Sequence, residues 1–203
     1  MDPRLYQAAT QGNVQTLKQL IKDDPKVLNS KTPQGKTALH IAARLGHKHF
    51  AEELLKECNV LLLMKNIDED TPLHIAARAG HLDIVATLIN FAVVWPTDIE
   101  SGEVGPLRMT NKLLDTALHE AVKNGYPEIA MKLLSAEPSA GHMANSKGET
   151  PLHIAAREGL KDVVLKILQH PWVEGQEEVK PPLPGTGSPL HQAVLGGHCG
   201  KFL

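Results

Sequence analysis

The chain of 203 residues carries 21 Lys plus Arg against 23 Asp plus Glu, a formal net charge of -2, so no global field points to nucleic acid or an anionic membrane as a partner. Only 3% of residues are aromatic, which suits close packing of small-residue helices, and Cys58 and Cys199 lie far apart without metal-type spacing, as free thiols in a reducing, cytoplasmic setting would. No apolar stretch approaches the roughly 20 residues of a membrane span, and "MDPRLYQAATQGNVQ" at the N-terminus lacks the basic start and apolar run of a secretory signal, so a soluble chain with no direct membrane span is expected.

The first predicted element, "PRLYQAATQGN" from Pro3, is a short helix with Asp2 as its cap and Gly12 as its stop, followed by the amphipathic run "VQTLKQLI" from Val14. The same plan returns more clearly as "TALHIAARLGH" from Thr37 with "HFAEELL", "TPLHIAARAGH" from Thr71 with "LDIVATLI", and "TALHEAVKNGY" from Thr116 with "PEIAMKLL". It continues as "TPLHIAAREGL" from Thr150 with "KDVVLKIL", and as "SPLHQAVLGGH" from Ser188. In each, a Thr or Ser hydroxyl caps the helix, Pro suits the first helical position, and Gly permits a left-handed stop. A helix of barely two turns is marginal alone in water, so each copy needs a neighbour to cover its Leu, Ile and Ala face. Repetition supplies that neighbour.

The capping residues step by 34, 45, 34 and 38 residues, and a near-constant step marks a solenoid. One domain spans residues 1–203, in units of about 1–31, 32–65, 66–108, 109–144, 145–182 and a partial 183–203. The 45-residue step holds "FAVVWPTDIESGEVGPLRM" from Phe91 to Met109, and the 38-residue step holds "HPWVEGQEEVKPPLPGTG"; both read as lengthened loops without regular elements. Polar loops such as "KNIDED" and "NSKGE" project between units. Gly35 and Gly148 stand two residues ahead of the cap in their turns, where Glu69 and Leu114 stand in the others, so those two turns must avoid positive φ or carry strain. The last unit reaches Leu203 before a second helix forms, which leaves an apolar face uncovered and predicts fast amide exchange beyond about Pro181.

A helix-turn-helix unit of about 33 residues bearing T-P-L-H-x-A is the signature of the ankyrin repeat, and residues 1–198 resemble an array of about six units, an all-α solenoid. Three phrases, "MDPRLYQAATQGN", "RMTNKLLDTALHEAVKNGY" and "NSKGETPLHIAAREGL" with "GTGSPLHQAVLGGH", further resemble plant membrane-anchored ankyrin proteins of the accelerated-cell-death type. In that family the array precedes membrane helices in a domain named for a Pro-Gly-Gly tripeptide, which this chain lacks. The resemblance implies an array on the cytosolic side that binds other proteins in defence and salicylic-acid or salt-stress signalling, with related ankyrin membrane proteins among its possible partners.

His40, His74, His119, His153 and His191 recur in frame, but equivalent points on stacked helices lie roughly 8–10 Å apart, too far to share a Zn²⁺ whose nitrogen ligands sit about 2.0–2.1 Å away. Each imidazole is instead expected to bond its capping Thr and the loop backbone of a neighbour, with His47, His81 and His198 acting similarly at the start of the second helix. Neither a nucleophile and base constellation nor a phosphate-cradling loop is present, so no catalytic role, cofactor or metal is expected.

Candidate protein-binding residues form two groups. Arg44, Arg78, Lys123 and Arg157 fall at the second residue before the turn Gly in successive units, where the family's fold directs side chains into the concave face. They read either as a basic ladder for an acidic partner or as solvated helix-end cations favoured by the macrodipole, with Glu149 and Glu158 close enough to blunt their potential. Asp70, beside the Thr71 cap, joins the set. Leu113 and Leu114 occupy a projecting turn and read either as apolar contacts or as a fold-back onto the long insert near Trp95. The reading that results is a non-enzymatic scaffold or adaptor in plant defence or stress signalling. The alternatives are a soluble fragment of a membrane-anchored signalling protein, reaching the cytosolic face of the plasma membrane through partners, and a regulatory module of an enzyme.

Overall fold

The computed structural model describes residues 1–95, 105–170 and 187–198. Eleven α-helices form among them, and no strand. They come as pairs: α1 and α2 (Pro3–Gln11, Val14–Asp23), α3 and α4 (Ala38–Leu45, Lys48–Glu57), α5 and α6 (Pro72–Ala79, Leu82–Val93), α7 and α8 (Ala117–Lys123, Pro127–Ala136), α9 and α10 (Pro151–Arg157, Lys161–Leu168), then α11 (Pro189–Leu195). The short first helices pack in one row from α1 through α3, α5, α7 and α9 to α11, and the second helices in another from α2 through α4, α6 and α8 to α10. The all-α solenoid expected from the repeat frame is therefore the fold.

The core lies between the two rows. Small residues let the first helices approach closely: Ala42, Ala43, Ala76, Ala77, Ala121 and Ala155 are sealed from solvent, while Leu39, Leu54, Leu73, Leu88 and Phe50 fill the space between rows. Each histidine of the frame sits at the third position of its helix and completes a reciprocal cap. In the second unit the Thr37 N–H donates to His40 Nδ1 at 3.1 Å, and His40 Nε2 meets the Asp70 carbonyl of the next unit at 3.0 Å. The pattern recurs at His74 with the Asp115 carbonyl, His119 with that of Glu149, and His153 with that of Gly187. Since Nδ1 receives a backbone N–H and Nε2 faces a carbonyl, the neutral Nε2–H tautomer satisfies both, and both ring nitrogens are occupied. His47 and His81 do likewise at the second helices, each placing Nε2 about 3 Å from a carbonyl of the preceding unit, Thr10 and Arg44.

Two features depart from the sequence reading, and a third decides between alternatives it left open. The connections after α2, α4 and α8 are not wholly irregular polar loops, because each begins with a turn of 3-10 helix, at Pro25–Asn29, Asn59–Leu63 and Pro138–His142. These turns bury Leu28, Leu61, Leu62 and Ala140 under the second-helix row. Second, α6 runs on to Val93, into the stretch expected to be loop, because Ala92 continues the apolar period of Leu88 and is itself buried. Third, Glu69 and Leu114 adopt positive φ, 60° and 57°, beside Gly35 and Gly148 at 72° and 74°. The strained alternative thus holds at both turns. The rest of the long insert (96–104), residues 171–186, which hold most of the second Pro- and Gly-rich loop, and Leu203 lie outside the described residues.

Candidate protein-interaction surface

The projecting turns are built by one device. Asn66, Asn111 and Asn145 each accept at Oδ1 from the backbone N–H groups two and four residues on, which folds the turn tightly and orients the residue just before the Thr cap. Successive turns are then stitched by backbone bonds: Ile67 N–H to the Gln34 carbonyl at 3.1 Å, Lys112 N–H to that of Asp68 at 3.1 Å, and Ser146 N–H to that of Leu113 at 2.8 Å. The asparagine amides tie units together as well, Asn111 donating to the Asp70 carboxylate at 3.0 Å and Asn145 to that of Asp115 at 2.9 Å.

The carboxylates so oriented meet the cations of the expected ladder. A side chain on the last turn of a helix leans toward the N-terminus, so a long cation reaches back two turns to the residue before the cap. Arg78 forms two bonds to Asp70, at 2.8 and 3.0 Å, and two to Glu120 of the next unit, at 2.8 and 2.9 Å. Lys123 pairs with Asp115, and Arg157 pairs with Glu149 and lies 3.5 Å from Glu158. Asp70 and Asp115 side chains are 3% and 1% exposed, so these are buried acids neutralised in place. Burial pushes Asp70 upward, but bonds from Arg78 and Asn111 outweigh it and leave its carboxyl below the ordinary value. Bonds from Glu120, opposed by burial and aided by Asp70, hold Arg78 above its usual value.

The structure therefore brings Asp70, Arg78, Lys123, Arg157 and Glu158 into one row, in which each of the three cations is met by at least one carboxylate. Arg44 stands apart: it is exposed and has no carboxylate partner among the described residues. Leu113 and Leu114 project from their turn, 56% and 44% exposed, and Trp95 packs half-buried against the core; most of the insert onto which they could fold lies outside the described residues.

A family model described as ankyrin repeats (3 copies) matches residues 5–98 and 104–180. The chain belongs to the ankyrin-repeat family. No curated protein matches it at a significant level. Ankyrin repeats generally mediate protein–protein interaction and are typically non-enzymatic. Sequence reasoning found the cations of this ankyrin surface but missed Asp115, Glu120 and Lys36 as the residues that decide which cations are free. The signal was present: the residue before each cap, read against the one eight positions later, gives Lys36 with Arg44, Asp70 with Arg78, Asp115 with Lys123, and Glu149 with Arg157.

Proposed function

We propose that this chain is a non-enzymatic docking scaffold in the cytoplasm, serving plant defence or stress signalling, whose partner proteins bind across the row of first-helix ends and the projecting turns. The observation that carries the reading is the rigid stitching of those turns. Backbone bonds and shared asparagines hold Asp70, Arg78, Lys123, Arg157, Glu158, Leu113 and Leu114 in fixed places before any partner arrives, so docking costs little ordering entropy. Leu114 adds to it, because an exposed leucine kept at positive φ where Gly would be unstrained is what a contact residue looks like. The defence and stress assignment is supported by the likeness of the three quoted phrases to the plant membrane-anchored proteins. No helix of the described residues is long and apolar enough to cross a membrane.

The test is affinity capture from plant tissue with the chain and with Leu113→Ser, followed by reconstitution of the captured partner. Leu113→Ser should weaken binding and leave the melting temperature nearly unchanged. Failure to capture any protein that rebinds the purified chain would refute the scaffold reading. Salt-washed membrane fractions carrying the chain would favour the membrane-complex alternative.

A further inference from the structure

Arg44 lacks the pairing of its counterpart Arg78 at both carboxylate positions. Lys36 stands where Asp70 stands one unit on, and Ile75 stands where Glu120 clamps Arg78 from the other side. Arg44 thus lacks both acids that its counterpart holds, and neither Arg44 nor Lys36 has an ion-pair partner among the described residues. The Asn66 amide, whose counterparts donate to Asp70 and Asp115, likewise has no carboxylate at position 36 to receive it.

Lys36 and Arg44 line one cleft of about 230 Å3, together with Tyr6, Gln34, His40 and Ile75. That volume falls below the roughly 300–1,000 Å3 of small-molecule sites and suits one or two side chains of a larger partner. Tyr6 leaves 45% of its surface exposed there, and Ile75 is half-buried, so an apolar wall stands beside the two charges. His40 does not answer the charge, since its ring is committed to Thr37 and the Asp70 carbonyl. Burial first of all holds His40 at about 4, against the opposing pull of the Asp70 carbonyl and charge and with smaller help from Lys31 and Lys36, so it carries no charge of its own into the cleft.

We propose that this cleft docks an Asp or Glu side chain from a peptide segment of a partner protein, with an apolar or aromatic neighbour of that residue laid against Tyr6 and Ile75. The partner supplies the carboxylate that the other units carry within the chain. Carboxylate is the chemistry chosen because the cation eight residues after the pre-cap position meets a carboxylate in all three complete copies, and the Arg44 guanidinium is free to receive one in the fork geometry that Arg78 offers Asp70. The inference rests on the protein-binding reading above and names where its specificity begins.

The test uses a random peptide library displayed on phage and panned against the full chain, with selected sequences resynthesised as fluorescein-labelled peptides for anisotropy titration. Enrichment of Asp or Glu next to an apolar residue is expected, with binding that weakens as salt rises. Lys36→Asp restores the carboxylate of the later units opposite Arg44. It should cut peptide affinity by about tenfold or more while the melting temperature holds or rises. Arg44→Gln, at an exposed position, provides a second loss of binding without a buried acid left unpaired. Selected peptides that lack acids, or that bind a folded Lys36→Asp chain undiminished, overturn the cleft and leave the wider reading standing. A library that yields no binder also counts against the cleft, and the wider reading falls only if tissue capture fails too.

Discussion

Acid should unfold this array through its buried imidazoles. Burial depresses His40 and His119 to about 4, against an ordinary value of 6.5, and lowers His74 and His153 in the same direction. Below pH 6.5 the unfolded chain therefore binds protons that the folded chain refuses, so stability rises with pH between about 4 and 6.5 and levels off above that window. At pH 5 an unfolded His is almost fully protonated, while one held at about 4 is protonated only about a tenth of the time, and the difference costs about 2 kcal/mol for each such His. His40 and His119 together give about 4 kcal/mol, a large share of the roughly 5–15 kcal/mol that holds a domain folded. Urea unfolding followed by circular dichroism from pH 7.5 down to 5 reads the loss, and the histidine ring protons in NMR spectra report which groups titrate. A His40 ring that gains its proton near pH 6.5 while the fold stays intact would refute the reasoning, because its Nδ1 could not then accept from Thr37.

Three further outcomes follow from the same geometry. Arg78→Met removes four charge-assisted bonds and strands Asp70 and Glu120, 3% and 7% exposed, so urea unfolding should show a loss of about 3 kcal/mol, part of it recovered when Glu120→Gln is added; a loss under about 0.5 kcal/mol would mean that the clamp is only a surface pair. Leu114→Gly relieves a left-handed backbone at little cost in burial and should raise stability by up to about 1 kcal/mol in thermal melts, while weakening partner binding if the turn is a contact. Gly80→Ala places a methyl 2.6 Å from Cζ of the Tyr126 ring as well as straining φ, so it should destabilise clearly more than Gly125→Ala, where nothing lies within 4 Å.

The sequence discloses most where a local rule repeats. Thr37, His40 and Gly46 specify a cap, a reciprocal bond and a stop within ten residues, and five copies in frame leave little freedom over helix position. The 3-10 turn at Asn59–Leu63 was hidden because "NVLLL" has no period of its own, and its burial depends on the second-helix row above it. The pairing of the cations was hidden for another reason. A separation of eight is not one of the spacings at which side chains on one helix meet, and Asp70 reaches Arg78 only because the Asn66 turn bends the pre-cap backbone alongside the helix. Sequence reading alone therefore left a basic ladder and solvated helix-end cations both open, where the folded chain has cations paired with carboxylates and one open rung.

The stitching of turns also sets how the chain tolerates change in length. Across the 45-residue step, Lys112 N–H still reaches the Asp68 carbonyl at 3.1 Å and His74 the Asp115 carbonyl at 2.9 Å, closely matching 3.1 and 3.0 Å for the corresponding bonds across the 34-residue step before it. The eleven extra residues leave the spacing of units three and four untouched. Each doubling of a connection's length costs only about 0.6 kcal/mol in closure entropy, so the connection between α6 and α7, which already carries eleven extra residues, is where this molecule can accept a longer or foreign segment, an epitope tag or a tethered peptide, without moving any unit out of step with the next.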